Sequence, residues 1–258
     1  MLKRAMASFA AAFLVVLTGA ALAEDSELTV AAAANLQYVL PEINKAFESA
    51  NPGVKLKSVF GSSGQFTAQI TNKAPFDVFI SADTSYPQKL VEAGLAKKES
   101  FSVYAIGKLA LWVPEGSKLE LQKQGIKAVL EPSVAKISIA NPKLAPYGRA
   151  AESALRTAGV YDQVKDKLVL AENITQAAQF VQSGAADIGF IAESLSYGPG
   201  MKGKGQLWSV PQDSYPKIEQ AIVVISYAKN PELAERYRQF IIGDKGQEIL
   251  KGFGFEKP

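Results

Sequence analysis

Val54-Lys55-Leu56-Lys57-Ser58-Val59-Phe60-Gly61-Ser62-Ser63-Gly64-Gln65-Phe66 is the stretch that decides the fold. Its first part, through Phe60, is a β-branched and aromatic run and reads as a strand. Phe66 and Ile70 then recur at helical spacing, so a short helix follows. Ser62 and Ser63 therefore sit where a strand hands over to a helix. The first amides of a helix have no partner inside it, and they lie at the positive end of its dipole, which suits an anion. Two hydroxyls add donors, and the flanking glycines let a ligand approach the backbone. Taken alone, such a turn reads better as a serine that only caps its helix. Repetition of the arrangement is what argues for more.

Upstream, Leu28-Thr29-Val30-Ala31-Ala32 reads as a strand that runs into Ala33-Ala34-Asn35. Leu36, Val39, Leu40, Ile43 and Phe47 then follow at helix spacing, with Pro41 expected to kink the helix or delay its regular part. Asn35 occupies the junction, as Ser63 does. Downstream, Asp77-Val78-Phe79-Ile80-Ser81 is an apolar run suited to a central parallel strand covered on both faces. Ala82-Asp83-Thr84-Ser85 leads from it into a helix through Leu90 and Val91, for which Ser85 and Gln88 predict a capping box. Residues 27–95 thus read β-α-β-α-β-α, a parallel sheet with right-handed crossovers.

Beyond that point the pattern shifts. Residues 102–113 are long for one strand and read as a crossing between two lobes, with Gly107 allowing a bend. Strands follow at 136–140, 168–170 and 187–192. A helix runs from about Arg149 to Thr157, and another opens at Glu172-Asn173-Ile174-Thr175 and ends at Gly184. Ala221-Ile222-Val223-Val224-Ile225 reads as a strand returning to the first lobe, and Asn230-Pro231 caps a helix behind it. The expected fold is α/β and two-lobed, each lobe a mainly parallel sheet flanked by helices, with a ligand cleft between them. The boundaries read as 24–104 plus 217–258 for lobe one and 105–216 for lobe two.

Composition narrows the function. Lys3 and Arg4, the apolar run Phe9 to Leu17 and the small-x-small triplet Ala21-Leu22-Ala23 read as a secretory signal peptide cleaved after Ala23. The apolar run is short for a spanning helix, and no cysteine stands near the cleavage site to carry a lipid. Removing Lys3 and Arg4 takes the formal net charge from +3 to +1. No later segment reads as apolar enough to span a bilayer, so the expectation is an exported, periplasmic protein. The chain has no Lys/Arg-rich run, which gives nucleic-acid binding little support. It has neither cysteine nor histidine, which excludes zinc sites of the usual kind and any Ser-His or Cys-His nucleophile.

Three features look functional and read better as structure. Gly198-Pro199-Gly200-Met201-Lys202-Gly203-Lys204-Gly205 matches a dinucleotide fingerprint and nearly matches a phosphate-binding loop. The first needs a strand before and a helix after, and the second needs Ser or Thr where Gly205 stands, so a surface loop is the better reading. Asp77, Asp83 and Asp187 flank strands and turns, where capping and turn bonding explain them better than acid/base chemistry does. Trp112 and Trp208 are isolated, unlike a nucleic-acid platform.

Four turns remain: Ala34-Asn35, Ser62-Ser63, Tyr147-Gly148 and Asn173-Ile174, each after a strand and opening a helix. Ligands of open α/β sheets sit at the carboxyl ends of the strands. A cleft lined this way would present amide, hydroxyl, carboxamide and phenol donors and few charges. At these residues the sequence resembles a known family. Ala32-Ala33-Ala34-Asn35-Leu36, Gly61-Ser62-Ser63-Gly64, Asp77-Val78-Phe79-Ile80-Ser81-Ala82-Asp83, Tyr104-Ala105-Ile106-Gly107-Lys108-Leu109, Ala145-Pro146-Tyr147-Gly148 and Gly184-Ala185-Ala186-Asp187-Ile188-Gly189-Phe190 resemble, in order and spacing, the periplasmic molybdate-binding proteins of ABC transporters. The resemblance implies a type II periplasmic binding protein, a monomer without cofactor or catalytic activity. Its ligand would be molybdate or tungstate, delivered to a membrane permease, with the metal only as the oxyanion centre. It further implies contacts from the side chains of Asn35, Ser63 and Tyr147 and from backbone amides at Ser63 and Ile174, with Ala34 and Asn35 as further amides and Ser62 and Asn173 as secondary residues. One branch of the family has Ser at the position of Asn35, a small residue at that of Tyr147 and Tyr at that of Ala192. Here the phenol has moved to Tyr147, and Ala192 is doubtful as a ligand.

Two alternatives stay open: a binding protein for another tetrahedral oxyanion such as sulfate, and an exported serine hydrolase using Ser62 or Ser63 with a lysine base. Arg149, one turn from Tyr147, is expected to avoid the anion and to face solvent or an acidic neighbour on its own helix, such as Glu152 at i+3.

Overall fold

The computed structural model describes residues 26–258, so the expected signal peptide and its cleavage after Ala23 lie outside the described residues. β1 (Ser26–Ala33) passes into a 3-10 turn over Ala34–Leu36, and α1 (Leu40–Ala50) begins only after it. Pro41 explains the delay: it sits in the first turn of α1, where its missing N–H has no helical partner to lose. β2 (Val54–Gly61), α2 (Ser63–Thr71), β3 (Val78–Ile80) and α3 (Ser85–Glu92) complete the first β-α series. The capping box predicted from Ser85 and Gln88 does not form. Asp83 displaces it: its carboxylate accepts the Ser85 hydroxyl at 2.7 Å and the Tyr86 amide at 3.2 Å, while Gln88 turns to Glu92. An ionised acceptor makes the stronger bond and wins the first-turn amide.

The apolar stretch 102–113 breaks after Gly107 into β4 (Ser102–Gly107) and β5 (Leu109–Pro114), which belong to different sheets. α4 (Leu121–Gln124), β6 (Ile137–Ala140), α5 (Pro146–Thr157), α6 (Tyr161–Val164), β7 (Leu168–Ala171), α7 (Ile174–Gln182) and β8 (Ile188–Ala192) follow. α5 starts ahead of the expected Arg149, with Pro146 in its first turn, so Tyr147 is a helical residue. β9 (Gly205–Ser209), which the sequence reading did not anticipate, leads to β10 (Ile218–Val224), α8 (Pro231–Ile242) and α9 (Asp244–Gly252).

The first sheet has the order β2-β1-β3-β10-β4, with β2, β1 and β3 parallel and β10 antiparallel to β3 and β4. The second has the order β7-β6-β8-β5-β9, with β7, β6 and β8 parallel and β5 antiparallel to β8 and β9. Each sheet is therefore mixed, a parallel half extended by antiparallel strands. The central strands alternate between two cores: Val30, Ala32, Val78 and Ile80 enter one, and Ala31 and Phe79 enter the other. Burial on both faces is why these strands read as unbroken apolar runs. A separate core packs the second sheet. Ala33 pairs with Gly61 at the ends of β1 and β2, and Ala140 with Ala171 at the ends of β6 and β7. The turns after these strands thus emerge together from each sheet's carboxyl edge. Among the described residues, no helix is long and apolar enough to cross a membrane.

Candidate functional site

A small cavity of about 10 Å³ lies where these edges meet, lined by Ala34, Ser62, Ser63, Tyr147, Asn173 and Ile174, with Ala82 and Pro146 beside them. Six of the seven sequence-predicted residues are thus brought together. Asn35 stands one layer behind the lining, 1% exposed, with its Nδ2 donating to Gln220 Oε1 at 2.9 Å. No charged side chain lines the cavity. A larger hollow of about 550 Å³ lies against α9 and Phe255 and includes none of the predicted residues.

Each predicted donor is set from its own element. Ser62 is the N-cap of α2: its Oγ accepts the Gln65 amide at 3.4 Å and donates to Gln65 Oε1 at 2.8 Å, while the Ser62 amide donates to the same oxygen at 3.3 Å. The side chain of Ser62 is therefore committed to its helix. Ser63, one residue on, is buried and does something different. Its Oγ accepts the Ala82 amide at 3.0 Å, which leaves its hydrogen to be donated elsewhere. Asn173 caps α7 by accepting the Gln176 amide at 3.0 Å, and Ile174 is the first helical residue after it. The amides of Ser63 and Ile174, at the first positions of α2 and α7, have no acceptor inside those helices.

Tyr147 comes from α5 on the opposite side. It is 1% exposed, and its hydroxyl accepts from Gln220 Nε2 at 3.1 Å. Burial pushes its phenol well above the ordinary tyrosine range, against a smaller opposing effect from its hydrogen bond with Gln220. It remains a neutral donor at physiological pH.

Hydrogen bonds between elements of the two sheets surround the cavity. The Gly64 amide donates to Leu144 O at 2.9 Å, Thr175 Oγ1 to Ala34 O at 2.8 Å and Ser194 Oγ to Asn35 O at 2.8 Å. Gly64 is needed for the first of these, because a Cβ there would sit 2.8 Å from Leu144 O and 2.7 Å from the Tyr86 hydroxyl. Just outside, a hollow of about 260 Å³ shares Ala82 and Pro146 with the cavity and is bordered by Asp83, Arg149 and Lys217.

Arg149 corrects the sequence expectation in one respect. It points away from the cavity to a carboxylate, but the carboxylate is Asp83 of the other lobe, at 2.5 Å, and its guanidinium lies over the Tyr86 ring. Glu152 pairs with Arg156 instead, at 2.7 Å. The helical i+3 geometry offers Glu152 to Arg149, whereas Arg156 offers a better-placed partner at i+4.

The remaining carboxylates and the glycine-rich segment have structural explanations. Asp77 accepts the amides of Thr29 and Lys229, at 2.7 and 2.8 Å, and Asp187 those of Ala135 and Lys136, both at 2.8 Å. The segment 198–204 is a turn that leads into β9, so no helix follows it to receive a phosphate. Three residues around the site escaped the sequence reading: Gln220, Thr175 and Ser194. Only Gln220 carried a cue, a carboxamide at the edge of an apolar strand.

The family model for bacterial extracellular solute-binding proteins matches residues 28–256. A molybdate-binding protein, ModA, of Azotobacter vinelandii is 40% identical over 253 residues, covering 96% of this chain and 98% of its own. Its counterpart from Rhodobacter capsulatus is 39% identical over 233 residues, 90% of this chain and 89% of its own. Among solved structures, the periplasmic molybdate-binding protein of Azotobacter vinelandii aligns with a TM-score of 0.84 at 33% identity, over 90% of this chain and 99% of that one. A sulfate-binding protein, SubI, of Mycobacterium tuberculosis aligns with a TM-score of 0.72 at 16% identity, over 90% of this chain and 87% of that one, a likeness of fold alone.

Proposed function

The chain belongs to the bacterial extracellular solute-binding protein family, and on that premise we propose that it captures molybdate or tungstate for an ABC permease. The observation that carries the reading is the pair of buried hydroxyls, Ser63 and Tyr147, on opposite walls of one cavity. Each has its oxygen engaged by an N–H donor from behind and a hydrogen free for an acceptor. Molybdate and tungstate are fully deprotonated near neutrality and only accept hydrogen bonds. A buried dianion is tolerated when each of its oxygens accepts several bonds and helix N-termini face it. Molybdate is then a ligand, not a resident cofactor.

We assign the contacts to the side chains of Ser63, Tyr147 and Asn35 and the amides of Ser63, Ile174 and Ala34, with Ser62 and Asn173 supporting. The lobes are 24–104 plus 217–258, and 105–216. The sheet membership of β4, β5 and β10 supports two crossings, with the first at Lys108, since β4 runs to Gly107 within the first sheet, and the second between β9 and β10. We place the protein in the periplasm after cleavage behind Ala23, a reading that rests on the sequence pattern of residues 1–23, and take it as a monomer from the family resemblance alone. We read it as a binding protein rather than a hydrolase; the Ser62 side chain held by Gln65 and the Ser63 oxygen engaged by the Ala82 amide support that reading.

Calorimetric titration of residues 24–258 with molybdate, tungstate, sulfate and phosphate tests the assignment. Saturating heat is expected with molybdate or tungstate at one site. Strong binding of sulfate with no response to either metal oxyanion would overturn it. Solution scattering on the same samples should show a smaller radius of gyration at saturation. An unchanged curve would argue against a site between lobes.

A further inference from the structure

Behind the two hydroxyls lies a buried amide that the oxyanion reading does not use. Gln220, on β10, is 0% exposed. Its Oε1 accepts from the Tyr104 hydroxyl at 2.7 Å and from Asn35 Nδ2 at 2.9 Å, and its Nε2 donates to the Tyr147 hydroxyl at 3.1 Å. Tyr104, Asn35 and Gln220 all belong to the first sheet or the turn after it, while Tyr147 stands on α5 beside the second. The amide therefore reaches from one lobe to a proposed ligand contact of the other.

Its polarity is determined by its surroundings. Two donors converge on Oε1, so the Nε2 end must face Tyr147. The Tyr147 oxygen is then an acceptor toward Gln220, and its single hydrogen must point elsewhere. Space for this contact exists because residue 107 is glycine. A Cβ there would lie 2.1 Å from the Tyr147 hydroxyl oxygen and 2.3 Å from Gln220 Nε2. Asn35 is aligned by the same amide, and its Oδ1 is left without a hydrogen-bond partner, the one such buried side-chain atom among the described residues.

We propose that Gln220 is a positioning residue for oxyanion binding: by occupying the acceptor side of the Tyr147 hydroxyl, it aims that hydrogen into the cavity. This rests on the oxyanion reading above and adds a residue that touches no ligand. Its consequence is that most of the effect of Gln220 requires a hydroxyl at residue 147, with a smaller share passing through Asn35. A residue that merely fills space or braces the strand would matter equally with or without that hydroxyl.

A double-mutant cycle on molybdate affinity tests this, with Gln220→Met, Tyr147→Phe and the double variant followed by calorimetry, and Tm measured in parallel. Gln220→Met is expected to weaken binding by about tenfold in the native background, the scale of one hydrogen bond to a charged group. In the Tyr147→Phe background the same change should cost at most about twofold, the remainder reflecting Asn35. Gly107→Ala supplies a second route, because its methyl wedges into the contact between Gln220 Nε2 and the Tyr147 hydroxyl while residue 220 stays glutamine. Its methyl displaces the Tyr147 hydroxyl, so it should reproduce the loss, and that loss should likewise shrink when the hydroxyl is absent. Equal losses in both backgrounds, for either variant, would overturn the proposal and leave the molybdate assignment standing. If the native protein bound no molybdate in the same titrations, the oxyanion reading itself would fail, and the role given to Gln220 would fall with it.

Discussion

Replacing Ser63 by alanine separates binding from folding at one atom. The hydroxyl has two roles. Its oxygen accepts the buried Ala82 amide at 3.0 Å, and its hydrogen is the one we assign to the anion. Loss of a hydrogen bond to a charged ligand costs about 1.5–3 kcal/mol, so affinity should fall by about 10- to 150-fold. Leaving the Ala82 N–H unpaired costs about 1–3 kcal/mol of stability, and each kcal/mol lowers Tm by roughly 2–4 °C in a chain of this size. The neighbouring Ser62→Ala is the internal control. Its hydroxyl is spent on the capping box, so it should lose about 1 kcal/mol of stability and little affinity. Calorimetry for Kd and thermal unfolding with and without molybdate give both quantities for each variant. If Ser62→Ala weakened binding as much as Ser63→Ala, or if Ser63→Ala bound molybdate as the native protein does, the division of roles between the two serines would be wrong.

Arg149→Ala removes a partly exposed ion pair between the lobes, worth about 0.2–1 kcal/mol, so affinity should fall by no more than about fivefold, and by less as salt is raised. Abolished binding would mean that the guanidinium holds the anion. Affinity should also be flat from about pH 6 to about pH 9, because no proposed contact titrates there and the buried Tyr147 phenol is shifted upward from its ordinary value of about 10. An inflection near neutrality in a calorimetric pH series would reveal a charged contact. Tyr104, Tyr147 and Tyr237 all have phenols raised by burial. Their contribution to stability is complete below the unfolded value of about 10 and is lost as pH rises above it, because only the unfolded chain releases those protons. Alkaline unfolding followed by circular dichroism should therefore set in above about pH 10, and a protein equally stable well beyond that would contradict it.

The parts of this molecule that the sequence made legible are those determined by neighbours in the chain. Ser62 caps α2, as a serine at the strand-to-helix handover was read to do, because the cap and the amide it accepts lie three residues apart in the chain. Pro41 delays α1 for a reason internal to proline. Local patterns failed where a nearby competitor intervened, as Asp83 does for the α3 cap. They also failed where an element lacked a burial rhythm. β9 has exposed ends and a half-buried middle, with no alternation to announce a strand, and it follows a glycine-rich turn. The candidate site was legible as a set of turns, but its second layer was not. Gln220 meets Tyr147, Tyr104 and Asn35 across 73, 116 and 185 residues, and Arg149 meets Asp83 across 66. Nothing in a strand or helix pattern carries information about such pairings.

These long-range bonds also bear on how affinity is determined. Ser63 and Ala34 reach the cavity from one lobe, Tyr147 and Ile174 from the other, so the donor set is complete only when the lobes are together. A ligand that needs the complete set sees an affinity reduced by the fraction of molecules in that arrangement. The bonds from Gly64 to Leu144, from Thr175 to Ala34, from Ser194 to Asn35 and from Arg149 to Asp83 raise that fraction without touching the ligand. Two kinds of residue then alter the same measured constant. On the proposed contacts, Ser63 and Tyr147 would act on the intrinsic interaction and distinguish one anion from another. Thr175, Ser194 and Arg149 act on the closure equilibrium and shift all ligands alike, since a change in population carries no information about the anion. The ratio of affinities for two oxyanions, rather than either affinity alone, is the quantity that separates the two groups.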